Sequence, residues 1–125
     1  MTDLYNACLE AEKKGAHLLR PGTPLSDVAK AMEDVVVEAG YLPQSVTGAP
    51  PNGHTAGIYS AGEGNIDLNN KKELASGSLV CVHPSACLKG WKVGKPGIFG
   101  AGDTYLVTDG APRKLTKSSP EMAIR

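Results

Sequence analysis

Hydrophobic periodicity in this chain changes once, at Gly40, and that change limits the folds open to it. Before Gly40, apolar residues recur every three or four positions; after it, short β-branched runs are punctuated by glycine, asparagine and proline. Leu25, Val28, Ala29, Met32, Val35, Val36 and Ala39 form one stripe around a helix that Gly40 stops. Thr23 is placed to cap this helix, with Pro24 at its first position. An earlier helix runs from a cap at Thr2 or Asp3 to about Leu19. Leu4, Cys8, Ala11, Gly15 and Leu18 make its apolar face, which leaves Glu10, Glu12, Lys13 and Lys14 to line the other side. Arg20-Pro21-Gly22 separates the two helices, because proline blocks the ladder and glycine permits the turn.

The remainder predicts antiparallel strands near 54–60, 78–88, 98–108 and 112–116, with Asp109-Gly110 as a tight turn. The fold class is α+β, two N-terminal helices packed on a curved antiparallel sheet. A single domain over 1–125 is expected: helix pair about 3–39, loop 40–53, strands 54–116 and a tail 117–125.

Thirteen basic and thirteen acidic residues cancel, so no bulk field recruits nucleic acid or an anionic membrane. Lys89, Lys92 and Lys95 around Trp91 read as a solvated loop, since nucleic-acid binders present a broader basic face. Cys8, Cys81 and Cys87 lack CxxC or zinc-knuckle spacing and read as buried thiols. With no signal peptide and no apolar run near the ~20 residues that span a bilayer, a cytoplasmic, membrane-free location is expected.

Four segments in order carry a resemblance: LLRPGTPLSDVAKAMEDVVVEAGY, then GHTAGIYSAGEG (Gly53 to Gly64), SLVCVHPSACLKG (Ser78 to Gly90) and AGDTYLVTDG (Ala101 to Gly110). Together they resemble the C-terminal half of the pita-bread superfamily of methionine aminopeptidases, Xaa-Pro dipeptidases and creatinases. There the last three motifs read roughly G-H-G-I-G-x-x-x-H-E, I-E-P-G, and E-D-T or E-H-T before a V-L-V-T-x-D-G-like strand. The resemblance implies a dinuclear site of two aspartates, a histidine and two glutamates, holding two divalent cations and a bridging hydroxide. The aspartates belong to the superfamily's first half, which has no counterpart here.

By that resemblance, His54 stands at the ligand histidine, His83 where the first glutamate is expected and Gly102 where the second is. The substrate-contacting histidine of the H-E pair aligns with Gly62, although Glu63 remains, and Gly100 falls where dipeptidases carry an arginine. The catalytic candidates are therefore His54, Glu63 and His83, and the vestigial metal positions are His54, His83 and Gly102.

Each has a plainer reading. His54 is a structural histidine at a strand start, Glu63 a turn carboxylate, and Asp103 serves a turn or strand pairing. His83 shares an alternation face with Leu79 and Cys81, and such an imidazole is more often hydrogen-bonded than metallated. Paired, His54 and His83 make a two-nitrogen site better suited to zinc, nickel or copper than to manganese. His17 fits a helix-dipole contact. The glycine-rich Gly97 to Asp103 lacks the ending and following helix of a phosphate loop, and Cys81 near His83 is not by that fact a nucleophile.

A catalytically inactive metallopeptidase-like domain is thus expected, acting as a binding or assembly module. Its partner is a second copy, a complementary peptidase-like half, or a peptide or protein ligand, and no cofactor is expected. The large subunit of the FACT histone chaperone is a superfamily precedent for the fold without metal chemistry. The alternative is a metal-dependent aminopeptidase or Xaa-Pro dipeptidase whose site another chain completes, with zinc, manganese or cobalt as the metal.

Overall fold

Two helices lie against a split antiparallel sheet in the computed structural model, which describes residues 2–47, 52–56, 64–89, 98–100 and 102–116. The helices α1 (Thr2–Ala16) and α2 (Leu25–Glu38) pack along their apolar stripes, burying Leu4, Cys8, Ala11, Leu25, Val28, Ala29, Met32 and Val36. They approach closely because position 15 has no side chain: a Cβ there would meet the Met32 Cγ and Sδ at 2.6 Å. α1 ends three residues short of Leu19, where the chain tightens into i→i+3 turns, Leu18 N to Gly15 O and Leu19 N to Ala16 O.

The start of α2 also differs from the sequence expectation. Pro24 is its N-cap, not its first residue, and no side chain caps it. Residues 70 and 72 take that role, since the Leu25 and Ser26 amides donate to the carbonyls of Lys72 and Asn70 at 2.9 and 2.8 Å. At the far end Gly40 turns the chain at φ 92°, and Ala39, expected in the apolar stripe, is exposed as the C-cap.

Residues 40–53, expected as loop, contain β1 (Leu42–Pro43) and the single turn α3 (Gln44–Thr47). Buried Glu33 of α2 holds this region: it accepts from the Ser45 amide at 3.0 Å, from the Ser45 hydroxyl, and from Asn52 Nδ2 at 3.1 Å.

The strands are β2 (Gly53–Ala56), β3 (Leu79–Val82), β4 (Ser85–Cys87), β5 (Ile98–Gly100), β6 (Asp103–Leu106) and β7 (Arg113–Lys114). They form sheets of order β1-β4-β5 and β2-β3-β6-β7, antiparallel throughout. The expected strands 78–88 and 98–108 are thus each two strands. Pro84 has no amide to donate, so the ladder stops there. One register runs from Val82↔Asp103 to Ser85↔Gly100, which sets His83 opposite Gly102 at the split. The turn expected at Asp109-Gly110 is a wider loop, in which the Thr108 hydroxyl accepts from the Gly110 amide and donates to the Ala111 carbonyl. The expected strand at 112–116 is reduced to Arg113 and Lys114, and residues 57–60 of the first expected strand lie outside the described residues.

Alternation then fixes the two faces of the larger sheet. Thr55, Val80, Val82 and Tyr105 are buried toward the helices, while His54, Leu79, Cys81, His83, Thr104 and Leu106 are half-buried on the opposite face. Among the described residues no helix is long and apolar enough to cross a membrane.

Candidate functional site

The half-buried sheet face carries the chemistry. β2 and β3 place His54 across from Cys81, and the ladder extends one bond further as the His83 amide donates to the Asn52 carbonyl at 2.8 Å. His54 and His83 are therefore diagonal neighbours, with ring centroids 5.3 Å apart and planes inclined 64°, an edge-on contact. His54 Nδ1 lies 3.0 Å from the Thr55 carbonyl. A carbonyl only accepts, so Nδ1 is the donor in this contact. Cys81 Sγ rests 3.6 Å from the Thr104 hydroxyl, and no disulfide involves it.

Gly102 meets His83 from the neighbouring strand. A Cβ built on it would lie 2.9 Å from the His83 Cβ and 3.2 Å from the Val82 carbonyl oxygen, so a side chain there would force its neighbours to shift. Next to this contact a hollow of about 150 Å³ is lined by Cys81, His83, Gly102, Asp103, Thr104 and Thr116.

A second cluster lies behind the sheet, under α1. Asp103 accepts from the Thr116 hydroxyl and pairs with Lys114 Nζ at 3.2 Å. It also contacts Glu12, which the helical pattern assigned to solvent but which is 4% exposed. Burial first, then the hydrogen bond to Asp103 and its charge, push the Glu12 carboxyl up to about 8. Burial alone would raise Asp103 too, but hydrogen bonds from Thr116, Glu12 and Lys114, with the Lys114 charge, hold it below the usual carboxylate value. Glu12 thus keeps its proton and donates it toward an ionised Asp103. Its Oε1 has no hydrogen-bond partner. Burial also raises the Tyr105 phenol to about 12, helped by the charges of Glu12 and Asp103, and the Cys8 thiol to about 11.

The structure places His83 between His54, at 5.3 Å between ring centroids, and Gly102 on the facing segment. Glu63 and Gly62 lie outside the described residues, as do Trp91, Lys92 and Lys95. His17 is exposed just past α1, away from the sheet face. Glu12 was missed because its charge was read as solvent-facing. Its spacing held the signal, four residues after Cys8 and three before Gly15 on the apolar stripe.

A helix pair on a split antiparallel sheet, with histidines at the split, defines one half of a pita-bread fold, and solved structures agree. A prolidase from Pyrococcus furiosus aligns with a TM-score of 0.75 at 21% identity, over 94% of this chain and 33% of its own. An X-Pro aminopeptidase from Thermotoga maritima gives 0.77 at 16%, over 96% and 32%. The N-terminal domain of a FACT complex subunit from chickpea gives 0.69 at 19%, over 94% and 29%. The chain belongs to metallopeptidase family M24, whose model matches residues 1–109. An uncharacterized peptidase of Staphylococcus haemolyticus is 27% identical over 118 residues, 90% of this chain. The chain spans about 30% of the length of the curated relatives it matches.

The metal centre that the resemblance implies does not fit these residues. The positions expected to bring carboxylates to the sheet face hold an imidazole at 83 and no side chain at 102. Among the described residues no group of three or more His, Cys, Asp or Glu side chains is placed to hold a metal ion. Of the nearby carboxylates, Glu12 is buried under α1, and Asp103, which also borders the hollow, is engaged by Glu12, Thr116 and Lys114.

Proposed function

We propose that this chain is a metallopeptidase-like module without the hydrolytic centre, serving as a binding or assembly unit in a dimer or with a partner chain. The contact at position 102 carries this reading. Glycine supplies no ligand, and a Cβ at 102 would lie 2.9 Å from the His83 Cβ and 3.2 Å from the Val82 carbonyl oxygen, so a side chain there would force its neighbours to shift. Neither position that the resemblance assigns to a carboxylate holds one, and bridging a hydroxide between two hard cations needs both. The activities named for the similar structures belong to those longer proteins and are not carried over.

Exposed apolar surface supports the assembly part. Val37, Val46 and Leu68 are 56%, 67% and 38% exposed and line one hollow of about 310 Å³, while Leu79 and Leu106 are half-buried on the sheet face. Exposed large apolar side chains gathered around one hollow, with Lys30, Asp34 and Ser45 at its rim, are suited to contact with a partner.

The edge-on pair of His54 and His83 favours a second reading. In it a partner chain supplies carboxylates, and zinc, manganese or cobalt completes a peptidase of the aminopeptidase or Xaa-Pro dipeptidase type.

Sedimentation velocity of the untagged protein over a range of concentrations tests the assembly. A dimer that Leu106→Lys dissociates, with the helical circular dichroism intact, is expected. A monomer at every concentration, unchanged by that substitution or by Val46→Lys, contradicts the dimeric form.

A further inference from the structure

Two rows of half-buried side chains cross the face of the larger sheet that looks away from the helices. The register of β2, β3 and β6 sets them as Ala56–Leu79–Leu106 and His54–Cys81–Thr104. We propose that two copies of this chain pack these faces together about a two-fold axis along β3, with Leu106 of each copy seated over Ala56 of the other. The inference names the partner and the contact of the assembly reading above, and rests on that reading.

Charge is the first argument. The chain carries thirteen basic and thirteen acidic residues, yet none of these six side chains is a carboxylate, ammonium or guanidinium. Arg113, paired with Leu106, stands at the edge of the first row. Packing the face against another expels water, and a charge brought there without a partner is costly. A charged ligand would bring one. A second copy brings another face of the same uncharged kind.

Size is the second. Asn65 bridges to His54 outside β2, so the layer runs from Asn65 through β2, β3 and β6 to β7, and β3 is its middle. A two-fold along the middle strand sets β2 of one copy over β6 of the other. Ala56 and Leu106 share a row, one strand to either side of Leu79. The rotation therefore lays a large side chain over a small one twice, as a contact between identical patches requires. It also sets His54 over Thr104, and Cys81 over its own copy. Packed sheets lie about 10 Å apart, which puts the two Cys81 thiols within reach of a short cross-linker. Strands of four residues make a small contact, of the size that weak complexes use, so trapping is the suitable readout.

Untagged protein at rising concentration is treated with a short bismaleimide, which alkylates thiols. Cys8 and Cys87 are fully buried, which leaves Cys81 as the thiol within reach. The expected product is a covalent dimer joined Cys81 to Cys81, identified by peptide mapping and lost in Cys81→Ser. Ala56→Leu, checked for an unchanged fold by circular dichroism, lowers the cross-linked fraction by about tenfold through overpacking. Adding Leu106→Ala to it restores the fraction. Within one chain Leu79 stands between positions 56 and 106, so that rescue reports a contact between copies. Cys81 labelled singly at every concentration, a dimer joined through other residues, or a swap that does not rescue would each overturn the contact. Those results leave the loss of the hydrolytic centre standing. Peptide hydrolysis by the untreated protein would instead overturn that reading, and the proposal with it.

Discussion

At the residue scale the account turns on the pair His83 and Gly102. Cross-strand neighbours normally hold their Cβ atoms about 4.5–5.5 Å apart, yet a Cβ at 102 would sit 2.9 Å from that of His83. Gly102→Ala is therefore expected to cost about 1–3 kcal/mol by overpacking. The same change in a His83→Gly background costs less, because the nearest atom is gone. Urea denaturation of the four proteins of this cycle measures the coupling, and strictly additive losses would contradict the contact. Some of this was legible in the sequence. Strand alternation places His83 with Leu79 and Cys81, and the side chains do share a face. The opposition of His83 and Gly102 was not, because it depends on the register between two distant strands, which periodicity does not specify.

At the scale of elements, α1 is held to the sheet partly by a shared proton. Glu12 on the helix meets Asp103 on β6, and Lys114 on β7 completes the pairing. The Glu12 carboxyl is raised in the folded state, so the stability it contributes is fully present below its ordinary value of 4.5 and is lost as the pH rises through about 8. Asp103 acts in the opposite sense: its lowered carboxyl contributes stability above its ordinary value of 3.8, lost as the pH falls through its folded value. Denaturant titrations should show stability falling by a few kcal/mol, in order of magnitude, between about pH 5 and pH 9. Glu12→Gln, which keeps the shape and a donor but cannot ionise, should flatten that slope. An unchanged slope would exclude Glu12 as its source. The two long helices were legible because their stripes are long and periodic. Their ends were not, since α2 is capped by the carbonyls of Asn70 and Lys72, a tertiary contact that no local signal carries. The splitting of the strands had one local sign, Pro84, whose missing amide interrupts the ladder.

At the scale of the whole molecule, the order of elements followed from the change of period at Gly40, and the M24 fold matches over residues 1–109. What the molecule does is less legible, because a fold hosts many chemistries and function lies in the site. Here the site face offers two imidazoles, a half-buried thiol and a glycine in place of a carboxylate cluster. The exposed Val37, Val46 and Leu68 belong to the opposite problem, surface suited to contact rather than to catalysis. The most direct measurement of the central claim is hydrolysis of Xaa-Pro and Met-Ala peptides by untagged protein with manganese, cobalt or zinc. The account predicts no turnover above a chelator-treated control. Turnover that the chelator stops and that His54→Ala abolishes would contradict it.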